Sequence, residues 1–478
     1  MSEQRTLSSE PELAKRRFTL GRLVLWTLGG LIVIGIGLFG LDQARSSREM
    51  ATTLDQLDAD DPGWRLEDLE AARVPLADKD NSAILCRELA RRLGRSWPDI
   101  EFDKHFEQIA LPELLDADRL DRLEDEMERL EPIRLAARPL ADMPKGRHEI
   151  EYAFDPLMTS LDDQQETRRV AHMLRHEMMY LSNKGDVTGA IRSGRACVCA
   201  GRSLYDEPEL FSQLMRAAMT LIGLKSVEKA ISLGEAEGSE LLALEELLAD
   251  EEAHETLLLA LRSQRAMMHR LLSRVDSGAL SMEGIRKEMQ LAEDTTFRRM
   301  VVHPRWQMHR QRPILMDLMN RMVENARLPA HAQRAKEEGL DREITRIRSS
   351  SPILLLLLPH INVPEAFRRK TAYVAAMRGL IAVERYRMRH GRWPARLADV
   401  VPEFLDRLPT DPLDGKPLKM ARTSDGVVVY SVGIDGVDDG GKLDRKSPFT
   451  PGTDLGFQLW DKAKRRQPAS AKAEEKQP

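Results

Sequence analysis

The run Leu23–Leu41, LVLWTLGGLIVIGIGLFGL, carries no charge and constrains this chain more than any other feature. About 20 apolar residues in a helix cross the ~30 Å hydrocarbon layer of a membrane. Gly29, Gly30, Gly35, Gly37 and Gly40 would weaken such a helix in water, but lipid offers the backbone no competing partner. Arg5, Lys15, Arg16, Arg17 and Arg22 precede the run, whereas only Arg45 and Arg48 follow closely, beside Asp42 and Glu49. The positive-inside rule therefore predicts a cytoplasmic N-terminus, a single pass through a bacterial inner membrane and an extracytoplasmic body. The competing reading is a cleaved signal peptide, whose apolar core of ~7–15 residues ends in small residues spaced A-x-A. The run is longer than that, and neither Leu38–Gly40 nor Asp42–Ala44 supplies the pair, which favours an uncleaved anchor.

Charged residues make up 31% of the 478 and hydrophobic ones 42%, with a formal net charge of -5. That balance excludes a wholly disordered chain, a polytopic membrane protein and a generally basic nucleic-acid binder. Aromatics are only 5% against 22 methionines, so the core is expected to be rich in Leu, Ala and Met, as helix-on-helix packing favours. Three cysteines, Cys86, Cys197 and Cys199, exclude a disulfide scaffold, though a bridge from Cys86 is open in an oxidising compartment.

Periodicity and punctuation divide the chain into an N-terminus (1–22), the span (23–41) and a neck with a first helical region (42–160). A helical body (161–363), a small α+β module (364–446) and a tail (447–478), largely disordered from 462, complete it. In the first helical region, Asn81 or Ser82 is placed to cap a helix bearing Ile84, Leu85, Leu89 and Leu93, and Leu111–Leu130 is helical and acidic. Pro132, Pro139, Pro144 and Gly146 make 132–154 a connection, with one short strand allowed at Ile150, Tyr152 and Phe154. In the body, a helix stops at Asn183-Lys184-Gly185-Asp186 and another begins at Val187, the grammar of αα-hairpin arrays, but without a clean 34-residue recurrence. The apolar Leu354–Leu358, between Pro352 and Pro359, is too short to span and reads as a buried helical turn. After Pro364 come a long helix ending at Gly391, a short helix through Leu397 and Val400, and strands Pro417–Thr423 and Val427–Val432 joined by Ser424-Asp425-Gly426. The fold class expected is mainly α: a transmembrane helix, an irregular αα-hairpin body and a C-terminal α+β module with a β-hairpin.

The order ERYRMRHGRWP, LPTDPLDGKPLKM, VVVYSVGIDGVDDGG resembles the head of the type II secretion major pseudopilins. There a helix ends in Gly-x-aromatic-Pro, a DP-x-G turn opens a hairpin and a glycine- and aspartate-rich loop closes the module. The matching positions include Gly391, Trp393, Pro394, Asp411, Pro412, Gly415, Tyr430, Asp435 and Gly436. The resemblance covers Arg369–Asp444 and implies a pseudopilin-like docking head. At the other end Arg17 stands where the pilin peptidase's glycine would be, so the likeness does not extend to pilin-type processing. The whole layout resembles an uncharacterised family of bacterial single-pass proteins, which implies location and no reaction.

Asp435, Asp438, Asp439 and Asp444, with carbonyls among the intervening glycines, could surround a hard cation such as Ca²⁺; pseudopilin heads are similar in carrying calcium in this region. The plainer reading is a solvated turn whose Asp and Gly residues supply positive φ angles. His172 and His176 have zinc-compatible i, i+4 spacing but no third ligand in view, and packing histidines are the better account. Cys197 and Cys199 diverge on a helix and read as buried thiols. Ser226-Val227-Glu228-Lys229 matches S-x-x-K with no accompanying motif, which chance explains. No catalytic or cofactor residue emerges, and basic stretches such as Arg368-Arg369-Lys370 fit solvated faces better than nucleic acid. The expectation is a membrane-anchored scaffold, favoured over an enzyme, that docks envelope or secretion partners. The alternative is an envelope hydrolase with dispersed acidic residues, which would show as a pocket with two facing carboxylates of raised pKa.

Overall fold

The apolar run and the polar residues behind it form one continuous helix, α1 (Pro11–Asp60), in a computed structural model that describes residues 11–98, 100–106, 109–153, 159–280, 305–350 and 362–469. Leu23–Leu41 lies exposed along it, and α1 is the one helix among the described residues long and apolar enough to cross a membrane. The stretch expected as a neck is therefore the helix's own continuation. Asp42 to Asp60 contains neither Pro nor Gly, so nothing in it interrupts the helix.

Thirteen further helices follow among the described residues: α2 (Leu66–Ala71), α3 (Ser82–Leu93), α4 (Ile100–Lys104), α5 (Ala117–Arg129) and α6 (Glu131–Ala137). Next come α7 (Asp162–Lys184), α8 (Val187–Gly201), α9 (Leu210–Ser232), α10 (Gly238–Ala253) and α11 (Thr256–Ser277). The last are α12 (Arg305–Ala326), α13 (Ala330–Ser350) and α14 (Val363–His390), after which the chain builds a three-stranded sheet.

The chain divides into two units. The first comprises residues 1–62 and 272–317. Within it the polar half of α1 is held by side chains. Ser46 Oγ donates to the His309 carbonyl at 2.8 Å, His309 Nε2 lies 3.0 Å from Ser47 Oγ, and His309 Nδ1 lies 2.8 Å from Asp276 Oδ1.

The second unit comprises residues 63–271 and 318–478. Its body begins as the sequence suggests: the Asn81 side chain accepts from the Ala83 N–H and caps α3. α5 starts later than expected, at Ala117, where Asp116 caps it. The stretch read as a connection is helical in part, because Pro132 and Pro139 occupy first-turn positions of α6 and of a 3₁₀ turn (Arg138–Asp142), where a missing N–H costs nothing. Ile150 and Tyr152 form no strand; Phe154 falls outside the described residues, as does Leu354–Leu358. At the Gly-Asp joint, Gly185 takes a φ of +94° to end α7, and Asp186 accepts from the Gly189 N–H to start α8.

α14 is the element that joins the body to the C-terminal module. Val374, Met377, Leu380 and Ile381 are buried in one core with Leu224 and Ile231 of α9 and Leu244 and Leu248 of α10. The same core includes Val427, Val429, Phe457 and Leu459 from the sheet. At ~1.5–3 kcal/mol for each fully buried large apolar side chain, this shared core binds the module firmly to the helices. Gly379 permits the contact, since a Cβ there would lie 3.0 Å from a Val429 methyl.

The sheet is antiparallel, with strand order β1 (Lys419–Thr423), β2 (Gly426–Ser431), β3 (Leu455–Trp460). Lys419 pairs with Tyr430 and Thr423 with Gly426, so the turn is Ser424-Asp425 alone and Gly426, expected within it, opens β2; Gly426 pairs with Trp460 and Ser431 with Leu455. β3 corrects the sequence reading, which placed 455–460 in a featureless tail. Its Leu455, Phe457 and Leu459 alternate with Gly456, Gln458 and Trp460 and turn into the shared core, while β2, buried along its length, is the central strand. Nor does the chain become disordered at 462. The Arg465 guanidinium forms two hydrogen bonds with the buried Glu384 carboxylate, at 2.8 and 2.9 Å, and the Gln467 N–H donates to the Pro112 carbonyl.

Candidate functional site

The motif residues of the C-terminal module serve first to build it. Gly391 ends α14 at a φ of +69°, and the Trp393 indole donates to Asp461 Oδ1 at 2.6 Å. Asp411, fully buried, uses both oxygens. Oδ1 accepts from the Ser431 hydroxyl (2.6 Å) and the Leu413 N–H (2.9 Å), and Oδ2 accepts from the Val432 N–H (2.8 Å). The DP-x-G turn is thereby tied to the end of β2. Burial nonetheless pushes the Asp411 carboxyl above its ordinary range.

The four aspartates singled out as cation ligands do not converge. Asp435 accepts from the Val437 and Gly452 N–H groups, and Asp444 from those of Lys446 and Ser447; these hydrogen bonds hold both carboxyls below their usual range. Asp438 accepts from the Tyr430 hydroxyl (3.0 Å) and the Gly440 N–H. Asp439 and Asp438 face a residue the sequence reading left out, Asp454, which accepts from the N–H groups of Asp439 and Gly441. Burial and the neighbouring negative charges raise the Asp454 carboxyl. Among the described residues no group of three or more His, Cys, Asp or Glu is placed to hold a metal ion. The arrangement is a set of turns in which Asp435, Asp438, Asp444 and Asp454 accept from backbone N–H groups. Only the positions of β3 and of Asp454 beside it, fixed by pairing with distant residues, could have shown this.

His172 and His176 do share one face of α7, and both approach Asp103 Oδ1, at 4.0 and 3.2 Å. The Arg175 guanidinium contacts that same oxygen and takes the place a metal would need. His176 is fully buried against Trp97, Phe102 and Phe106, with ring centroids 5.2 to 5.9 Å apart, and burial lowers its basicity. It is a packing residue. The three cysteines are free and buried, and burial pushes each thiol up to about 12. No bridge from Cys86 forms.

Two charged groups inside the second unit gave no local sequence signal. Glu251 of α10 is fully buried and meets Arg202 (2.9 Å), Arg216 and Lys370 (2.8 Å), which come from the turn after α8, from α9 and from α14. Burial alone would raise its pKa, but the cations of Arg216, Lys370 and Arg202 outweigh it and hold the carboxyl far below its ordinary range. Lys370, read from sequence as part of a solvated basic stretch, is buried here, as is Arg368, which pairs bidentately with Glu337. Glu207 is also fully buried, and burial raises its carboxyl to about 8.

Ser226 and Lys229 lie on one face of α9 and line a cavity of about 340 Å³. They do not form a nucleophile and base. The Ser226 hydroxyl donates to the Ile222 carbonyl (2.8 Å), and Lys229 Nζ donates to the Ala110 and Glu113 carbonyls. Mid-helix, the surrounding N–H groups are already used, so no oxyanion hole is at hand.

Compared with known proteins, the chain matches no family model, no curated protein and no solved structure.

Proposed function

We propose that this protein is a single-pass scaffold whose body lies outside the cytoplasm and whose C-terminal module is a docking head for envelope or secretion machinery. The observation that carries the reading is the shared core of α9, α10, α14 and the sheet, which makes the head a rigid extension of the body. The exposed apolar half of α1 supplies the tether, and the charge asymmetry around Leu23–Leu41 supplies the orientation.

A hydrolase finds less support. Glu177, Glu207, Glu209, Asp411 and Asp454 all have raised pKa values, but none of the four main cavities is lined by two of them. Burial raises each of them, against hydrogen bonds that pull the other way.

The test is photo-crosslinking in intact cells from the full-length chain, with the reactive group at Arg422 on the exposed end of β1 and, separately, at Arg91 on α3. A discrete adduct to an envelope protein from Arg422 supports the docking head. Absence of any adduct from Arg422, with adducts from Arg91, would assign docking to the body and overturn the role given to the module.

A further inference from the structure

Gln165, Arg168, Arg169 and His172 recur at i, i+3, i+4 and i+7 along α7, so they share one face, and all four line one pocket. The turn after α3 adds Arg95, Trp97 and Pro98, α4 adds Asp103 and Lys104, and Met215 of α9 adds an apolar side chain. The pocket's volume of about 380 Å³ is within the range of ligand sites, ~300–1,000 Å³.

The carboxylates around this pocket do not balance its cations. Asp103, the acid in the lining, is taken by the Arg175 guanidinium and by His176 at 3.2 Å. Glu166 lies 3.1 Å from Arg169 and 3.9 Å from Arg95, and Glu101 lies 2.9 Å from Lys104. Arg168, exposed beside Arg169, makes no ion pair among the described residues. With those partners included, the five cations Arg95, Lys104, Arg168, Arg169 and Arg175 stand against the three carboxylates Asp103, Glu101 and Glu166, a surplus of two. The acids further along the same elements do not cancel it. Glu126, which accepts from the Trp97 indole, pairs with Arg129. Asp162 and Asp163 sit in the first turn of α7, where the helix N-terminus favours them, and Asp163 pairs with Arg87. His172 adds no charge, since burial lowers its pKa to about 4. Arg95 and Lys104 are mostly exposed, and ion pairs in water are weak, so both are free to turn toward an incoming anion.

We propose that this pocket binds a small polar phosphomonoester, its phosphate dianion held by Arg168, Arg169 and Lys104 and the rest of the molecule bounded by Gln165, Trp97 and Met215. A dianion matches the surplus of two positive charges. Guanidinium groups meet phosphate oxygens through paired N–H bonds, which is why arginines gather where phosphate is recognised. The phosphate fills only part of the volume and leaves room for a compact organic portion, which is polar because charged side chains dominate the lining. A nucleic-acid strand is not the occupant, because Trp97 is buried and presents no open ring on which bases could stack.

The experiment is equilibrium dialysis of glucose 6-phosphate, glucose 6-sulfate and glucose against the full-length protein in phosphatidylcholine nanodiscs at low salt, with empty nanodiscs subtracted. Saturable binding of glucose 6-phosphate is expected, about tenfold tighter than the singly charged sulfate, with no binding of glucose. Arg168→Gln breaks no ion pair, so it should leave the melting temperature unchanged while weakening glucose 6-phosphate about tenfold. Arg422→Gln removes the same charge from β1 and should leave the affinity as it was. No glucose 6-phosphate binding above empty nanodiscs, sulfate bound as tightly as phosphate, or equal weakening by Arg168→Gln and Arg422→Gln would overturn the proposal.

Discussion

Glu251→Gln is nearly isosteric and removes a single charge, yet it strikes the point at which α9, α10 and α14 are held together. In the native chain one buried carboxylate faces Arg202, Arg216 and Lys370, each with its side chain at most 2% exposed. Removing the shared anion leaves Arg216 and Lys370 facing a neutral amide and Arg202 with Asp250 as its remaining carboxylate. Breaking a buried pair by removing one partner typically costs about 3–5 kcal/mol, and we expect that loss here. Adding Lys370→Met should return part of it, since one uncompensated cation is then gone. Because the three cations hold the Glu251 carboxyl far below its unfolded value, its stabilisation is present above pH ~4.5 and is lost only as pH falls through the depressed folded pKa. Glu251→Gln should therefore cost about the same at pH 6 and pH 8. Urea titrations of the full-length chain followed by circular dichroism measure both quantities. A loss below ~1 kcal/mol, or one that disappears at pH 6, would refute the claim that this ion cluster is a structural keystone.

The remaining predictions follow the same logic. Glu207 has the opposite sign: its folded pKa of about 8 exceeds the unfolded value, so stability falls as pH rises between about 4.5 and 8. Glu207→Gln should flatten that slope in urea titrations and stabilise the protein by on the order of 3 kcal/mol at pH 8. Asp411→Ala strands the buried donors of Ser431, Leu413 and Val432, and should lower stability by about 2–4 kcal/mol, with the sheet exchanging amide protons first. Truncation after Asp461 removes Arg465 from Glu384 and should destabilise by about 3–5 kcal/mol, where a featureless tail would give no change in melting temperature.

How far the sequence could be read depended on the range of the forces involved. Helix ends were legible because capping is local: Asn81, the Gly185-Asp186 joint and Gly391 each act within a few residues. The hairpin of β1 and β2 was legible for the same reason. β3 was not, because its short alternation of Leu455, Phe457 and Leu459 lies across a long loop from β2, and pairing with that strand is what specifies it. The tail's order was hidden likewise, since Arg465 finds Glu384 81 residues away. The acidic loop was ambiguous because Asx-turn chemistry and calcium ligation draw on the same residues, and its hydrogen bonds to backbone N–H groups appear only in three dimensions. Lys229 and Glu251 carry no signature either. A buried charge on a helix has the spelling of an exposed one.

The central claim is that Leu23–Leu41 is retained and that the body stands on the far side of the membrane. Its most direct measurement combines intact mass of the membrane-extracted chain with a phosphatase reporter fused after Ala469. The account predicts an N-terminus that still includes the apolar run, together with an active reporter. A shortened chain released into the soluble fraction, or a reporter active only when assayed in the cytosol, would contradict it.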